Sequence, residues 1–150
     1  LIINPANPSL WFAVGSGGDL YRSEDRGATW ADVTEGLQEF SGAKSEQSWT
    51  TDARGVLYLG SRLGLLSSAD RGTTFSQPPL IVPPDALPVL AVAVDRQRPL
   101  HLAVSAQNQI YATEDGGERW MILVAPGEGR ITGLLIDAER AGTLYAVVQP

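Results

Sequence analysis

Short apolar runs recur along the chain, each closed by a polar turn: Leu10-Trp-Phe-Ala-Val14, Val56-Leu-Tyr-Leu59, Val89-Leu-Ala-Val-Ala-Val94 and Leu144-Tyr-Ala-Val-Val148. Runs of this length between turn residues predict strands rather than helices. The 89–94 run is almost continuously apolar instead of alternating, which predicts a strand covered on both faces by neighbouring sheets. Between the runs, one eight-residue phrase occurs three times: Ser23-Glu-Asp-Arg-Gly-Ala-Thr-Trp30, Ser68-Ala-Asp-Arg-Gly-Thr-Thr-Phe75 and Thr113-Glu-Asp-Gly-Gly-Glu-Arg-Trp120. Its aspartates are Asp25, Asp70 and Asp115, so the period is 70−25 = 45 and again 115−70 = 45.

The repeat extends on either side of the phrase. The stretch Phe12 to Trp30 overlies Leu57 to Phe75 and Leu102 to Trp120 without an insertion, and an upstream phrase recurs at Ile3-Asn4, Thr51-Asp52, Val94-Asp95 and Ile136-Asp137. Each unit then holds four strands: one before the Asn or Asp, one at the Leu-aromatic phrase, one before the repeated Asp, and one through the terminal aromatic. A period of about 40–50 residues is that of a four-stranded propeller blade. The expected fold is all-β, a single partial β-propeller over 1–150 with antiparallel blades. Blade units fall at about 1–38, 45–80 and 88–125, with a half-blade at 130–150, which makes about three and a half blades. Closed propellers have about 4–8 blades. The chain therefore reads as a segment of a larger propeller, with a self-assembling half-ring as the alternative, and the flank of the half-blade is an unpaired edge.

The phrase has the chemistry of a staple. Asp or Ser side chains cap backbone N–H groups in tight turns, and Gly27, Gly72 and Gly117 permit a positive φ. Trp30, Phe75 and Trp120 are placed to bury apolar surface beside the turn. Asn4, Asp52, Asp95 and Asp137 share one slot after the first strand, which argues for a common turn role rather than four catalytic carboxylates. The sole histidine, His101, falls in the slot of Trp11 and Tyr145 and reads as a packing residue. Gly15-Ser-Gly-Gly18 and Gly127-Glu-Gly129 lack a following Lys-Ser/Thr pair and read as turns, not phosphate loops.

The triple phrase resembles the motif Ser-x-Asp-x-Gly-x-Thr-Trp of the Asp-box, or bacterial neuraminidase repeat, β-propellers. On that resemblance Ser23, Asp25, Gly27, Trp30, Ser68, Asp70, Gly72, Phe75, Thr113, Asp115, Gly117 and Trp120 are the structural Asp-box residues. The family includes sialidases, xyloglucan-degrading endoglucanases, sortilin-type receptors and a photosystem II assembly factor, so the resemblance implies a fold and leaves the activity open. Sialidases carry an Arg-Ile-Pro phrase; here Arg130-Ile131-Thr132 lacks the proline, and no Tyr-Glu nucleophile pair is assignable. The catalytic aspartates of the xyloglucan enzymes have no residue-by-residue match.

Charge and composition narrow the partners. The chain has 17 acidic and 11 basic residues, a net charge of −6, and no Lys/Arg cluster, which disfavours nucleic acid and anionic membrane surfaces. The apolar runs are far shorter than the ~18 residues of a membrane span. There is no cysteine, hence no disulfide or thiolate site, and with one histidine no metal site or cofactor is expected.

Departures from the repeat supply the site candidates. Ser48-Trp-Thr-Thr-Asp52 is polar where Ala91-Val-Ala-Val-Asp95 and Gly133-Leu-Leu-Ile-Asp137 are aliphatic, so Ser48, Trp49 and Thr50 are candidates for lining a central channel and meeting a ligand. The other reading is a weaker blade whose inner strand faces water. The segment Gln77 to Pro88 carries five prolines and reads either as a recognition arm or as a loop pinned on its own blade. The linker Gln38 to Gln47 reads as solvated. The function expected is a non-catalytic binding or assembly module, extracellular or periplasmic, with an unidentified protein or glycan ligand and further blades in cis or a second copy in trans. The alternative is a fragment of a glycoside hydrolase, xyloglucanase-like or sialidase-like.

Overall fold

The protein is described by a computed structural model that covers every residue except Glu46 and Pro126. The apolar runs form antiparallel meanders. The first sheet is β1 (Ile2–Ile3), β2 (Trp11–Val14), β3 (Leu20–Ser23) and β4 (Ala31–Asp32), and the second is β5 (Ser48–Thr51), β6 (Leu57–Ser61) and β7 (Gly64–Ser68). The third is β8 (Val89–Val94), β9 (Leu102–Ala106), β10 (Gln109–Thr113) and β11 (Met121–Val124), followed by the pair β12 (Arg130–Ile136) and β13 (Leu144–Gln149). The first strands β1, β5, β8 and β12 touch one another in that order, so the sheets radiate from a common axis. The chain is a partial β-propeller.

Apolar side chains fill the wedges between successive sheets. Phe12 and Leu20 meet Leu57, Leu59 and Leu66 in the first wedge; Tyr58 and Leu65 meet Val89, Val104 and Tyr111 in the second; Ala103 and Ile110 meet Ile131 in the third. Both faces of the inner strands of the second and third sheets are covered, which is why β6 is buried throughout and β8 nearly so, whereas the outer strand β11 is exposed. The far face of the β12–β13 pair is not covered, and it exposes Leu135, Tyr145 and Val147.

Several details differ from the sequence reading. The fourth strand begins after the terminal aromatic rather than running through it, since β4 starts at Ala31 and β11 at Met121. In the second sheet it shrinks to a single bridge between Ser67 and Ser76. Trp30 is 42% exposed while Phe75 is only 9% exposed, so the first aromatic does not bury the surface expected of it. The superposition of the first unit on the others is also not free of insertions. Val14 pairs with Leu20 across five residues, whereas Ser61 pairs with Gly64 and Ala106 with Gln109 across two. Strand β2 thus slips by one residue, and Phe12 takes the inward place held by Tyr58 in the second unit. The slot of His101 shifts for the same kind of reason. The Asp95 amide donates to the His101 carbonyl as Asn4 donates to Leu10 and Asp137 to Thr143, so Leu10 and Thr143, not Trp11 and Tyr145, are its equivalents.

The linker from Gln38 to Gln47 is largely exposed, as read, but Ala43 within it and Leu37 just before it are not. Residues Thr34–Lys44 form 3-10 turns with a kink at Phe40, and Leu37 and Ala43 are fully buried in the first wedge. Leu37, Phe40 and Ala43 are three apart, the period of a 3-10 helix. Glu46, within the same linker, lies outside the described residues. The proline-rich segment is pinned, as one of its two readings held: Leu80, Val82 and Leu87 pack on the second wedge, and the Trp120 indole donates to the Pro79 carbonyl at 3.2 Å. Gly15 to Asp19 is a hairpin loop closed by its own backbone bonds. Arg130 is exposed at the start of β12 beside the buried Ile131.

Candidate functional site

The three octapeptide turns share one plan and close on themselves. In the first, the Ser23 hydroxyl donates to Asp25 Oδ1 at 2.8 Å and accepts from the Gly27 amide at 2.7 Å, while the Thr29 amide and hydroxyl donate to the two Asp25 oxygens at 2.8 and 2.6 Å. Ser68, Asp70, Gly72 and Thr74 repeat this with 2.8, 2.9, 2.9 and 2.6 Å. In the third, Thr113 replaces the serine, and the Arg119 amide and Nε both donate to Asp115 at 2.9 Å, so a guanidinium does the work of the threonine hydroxyl. Each turn needs two successive left-handed residues: Arg26 and Gly27, Arg71 and Gly72, Gly116 and Gly117. The arginines at φ 62° were not foreseen; a side chain there is strained by about 1 kcal/mol, which the closed hydrogen-bond ring offsets.

These bonds set the acidity of the turn. Bonds from Thr29 and then Ser23 hold Asp25 down at about 2, and the Arg119 amide followed by the Thr113 hydroxyl holds Asp115 at about 2. For Asp70, burial pushes upward, but the bonds from Thr74 and Ser68 win and leave it below the ordinary value. All three carboxylates are ionised and saturated with donors.

The inner-strand turns use the same logic. Oδ1 of Asn4 accepts from the Ala6 and Asn7 amides, Oδ1 of Asp52 from Arg54 and Val56, Oδ1 of Asp95 from Gln97 and Arg98, and Oδ1 of Asp137 from Glu139 and Arg140. Asp52 and Asp95 are fully buried, and each is also held by the guanidinium two or three residues on, at 2.7 Å from Arg54 and 2.6 Å from Arg98. The octapeptide turns lie against these inner turns, with the Arg26 amide on the Ser9 carbonyl and the Gly116 amide on the Leu100 carbonyl. One end of the axis is therefore the turn end.

What the repeat leaves open is the axis itself. A concavity of about 260 Å³ lies among the first strands, with Ile3, Trp49, Thr50, Thr51, Val94, Arg96 and Ile136 in its wall. Of the sequence candidates, Trp49 and Thr50 line it. Ser48 does not; its hydroxyl instead accepts from the Val92 amide at 3.1 Å and sews β5 to β8. Trp49 is half buried, edge-on to Phe75 with centroids 5.9 Å apart, and its indole N–H donates to Gln47 at 3.2 Å. Thr51, just past the three candidates, also lines the concavity and accepts from Asn4 Nδ2 at 3.5 Å. Arg96 escaped the sequence reading. Its signal was available, because the residue after the turn Asn or Asp is Pro5, Ala53 or Ala138 in the other units and a cation only here.

A second cleft of about 490 Å³ sits at the rim, where Asp32, Glu35 and Glu39 face the second octapeptide turn at Thr73 and Thr74. Asp32 is kept below its ordinary acidity range by hydrogen bonds from Thr34. No group of three or more His, Cys, Asp or Glu side chains able to hold a metal ion occurs among the described residues. No described helix is long and apolar enough to cross a membrane.

No protein-family model and no curated protein matches the sequence. Solved structures share the fold. A GH74 enzyme of Niastella koreensis is 17% identical, with 98% of this chain covering 25% of that one at a TM-score of 0.68. The GH74 xyloglucanase of Xanthomonas campestris is 19% identical, with coverage of 97% and 34% and a TM-score of 0.51. YCF48 of Cyanidioschyzon merolae is 18% identical, with coverage of 99% and 55% and a TM-score of 0.60, and a YCF48 structure bound to a D1 peptide matches at 0.55. The chain spans about a quarter to a half of these structures. At this identity the likeness establishes the β-propeller fold, shared by proteins as different as xyloglucanases and YCF48.

Proposed function

We propose that this chain belongs to the Asp-box class of propellers and is part of a non-catalytic binding or assembly module, whose ligand, protein or glycan, is met at the axial concavity. One observation carries the reading: the carboxylates of the repeat are consumed by their own turns. A glycosidase needs one carboxyl raised in acidity constant to act as general acid, opposite a second that stays ionised. Here each carboxyl with a resolved shift, Asp25, Asp32, Asp70, Asp95 and Asp115, is shifted downward. That suits scaffolding and opposes proton donation. The YCF48 structure with a bound D1 peptide supports a polypeptide as one kind of partner for such a module. The proposal includes an extracellular or periplasmic location and further blades in cis or in trans.

A second reading, a fragment of a glycoside hydrolase, is favoured by the GH74 likeness and by the acidic rim cleft at Asp32, Glu35 and Glu39. Incubating the intact protein with xyloglucan decides between them. The binding reading expects no new reducing ends; release that disappears in Glu35→Gln or Glu39→Gln establishes the hydrolase.

A further inference from the structure

Two departures from the repeat converge on one place. In β5, Thr50 and Thr51 replace the apolar residues that β8 carries at Ala93 and Val94, and in the turn after β8, Arg96 replaces the Pro5, Ala53 and Ala138 of the other units. Both sets line the same axial concavity. Repeats conserve what builds the scaffold, so coincident exceptions on adjacent strands mark a surface with a task of its own.

The charges sharpen this. Arg54 and Arg98, in the turns that follow β5 and β8, are spent on the buried Asp52 and Asp95. Arg96 is exposed and, among the described residues, makes no ion pair or hydrogen bond. It is the one charged side chain in a wall otherwise made of apolar residues and threonine hydroxyls, in a chain of net charge −6. An exposed and unpaired guanidinium in a concavity wall selects an anion, and its planar fork suits a carboxylate. The room, about 260 Å³, is that of one small ring rather than a folded segment. Hydroxyls beside an indole offer a sugar both polar partners and an apolar surface, and the indole N–H is already engaged by Gln47.

We propose that the turn end of the axial concavity binds a sugar acid, with Arg96 pairing its carboxylate and Thr50 meeting its hydroxyls beside Trp49. This rests on the binding reading given above. The test is saturation-transfer NMR titration of the full-length protein at low salt with glucuronate, and with glucose as the neutral match. Glucuronate is expected to bind at least ~10-fold more tightly than glucose, and Arg96→Gln to remove that preference, because the charge-assisted pair is lost. Arg96→Lys retains part of it. Arg130→Gln, the same charge change at the far end of β12, alters it less than ~2-fold. Equal binding of the two sugars, an unchanged preference in Arg96→Gln, or N-acetylglutamate amide binding as well as glucuronate overturns the proposal. Reducing-end release from xyloglucan would instead overturn the binding reading, and it leaves the glucuronate-to-glucose ratio untouched.

Discussion

Strands β5 and β8 occupy the same place in adjacent sheets and are built from opposite materials. β8 is apolar along its length because sheets press on both its faces; β5 carries Ser48, Trp49, Thr50 and Thr51, and three of its four residues are only half buried. Yet the turns that follow them are alike, each a buried aspartate gripping two backbone amides and a guanidinium. The difference teaches where to look in a repeat protein. Features present in every unit hold the chain together, and a feature present in one unit is either tied into the scaffold, as Ser48 is through the Val92 amide, or a place to look for a ligand.

The largest effect expected along this seam is at the turn both strands share. Asp95→Ala leaves the Gln97 and Arg98 amides and the Arg98 guanidinium without their acceptor, and it should destabilise by about 2–3 kcal/mol in urea unfolding. Asp52→Ala should match it within about 1 kcal/mol, because it too strands two amides and a guanidinium, although its turn is shorter. A large disparity would mean that the two turns are not equivalent.

Next is the close approach of the sheets. Gly60 pairs with Ser48, and a Cβ there would sit 2.7 Å from methyls of both Val89 and Val92. Gly60→Ala should therefore cost about 1–3 kcal/mol by overpacking, and Val89→Ala in the same background should recover part of it. Ser48→Ala is smaller, about 1 kcal/mol, from the orphaned Val92 amide.

Acid offers a way to separate scaffold from axis. Asp25 and Asp115 are held at about 2 in the folded protein. A depressed folded value means that their contribution is fully present above the unfolded value of about 4 and is lost as pH falls from there toward 2. Urea midpoints measured between pH 5 and pH 2 should fall, and Asp115→Asn should flatten part of that fall. Thr50 and Thr51 do not titrate, so their variants should keep the whole pH dependence.

Much of the fold was legible because a 45-residue period repeats its punctuation; the Ser or Thr, Asp and Gly of each phrase sit in the same hydrogen-bond ring three times over. What escaped lies where the chain departs from that grammar. The 3-10 segment over 34–44 was hidden by polar neighbours, although Leu37, Phe40 and Ala43 carried its period. The slip of β2 was hidden because one residue gained in the Gly15–Asp19 loop leaves the spacing between octapeptides unchanged. Trp30 and Trp120 make the same indole bond to their own Gly27 and Gly117 carbonyls, but Trp120 also donates to Pro79 of the proline-rich segment and packs on the second wedge, a long-range contact that no local pattern announces. At the axis, sequence alone found the polar strand but not Arg96, since a single arginine beside a turn aspartate looks like the ion-pairing arginines that flank it.

The most direct test of the central claim is the stability of the full-length protein with β5 rewritten toward β8 by Thr50→Ala, which leaves the bond from Asn4 to Thr51 in place. If Thr50 serves a ligand and not the scaffold, urea unfolding should change by less than about 0.5 kcal/mol, with a gain as acceptable as a loss. A loss above about 2 kcal/mol would show that the polar strand is structural, and the contrast between β5 and β8 would then carry no functional meaning.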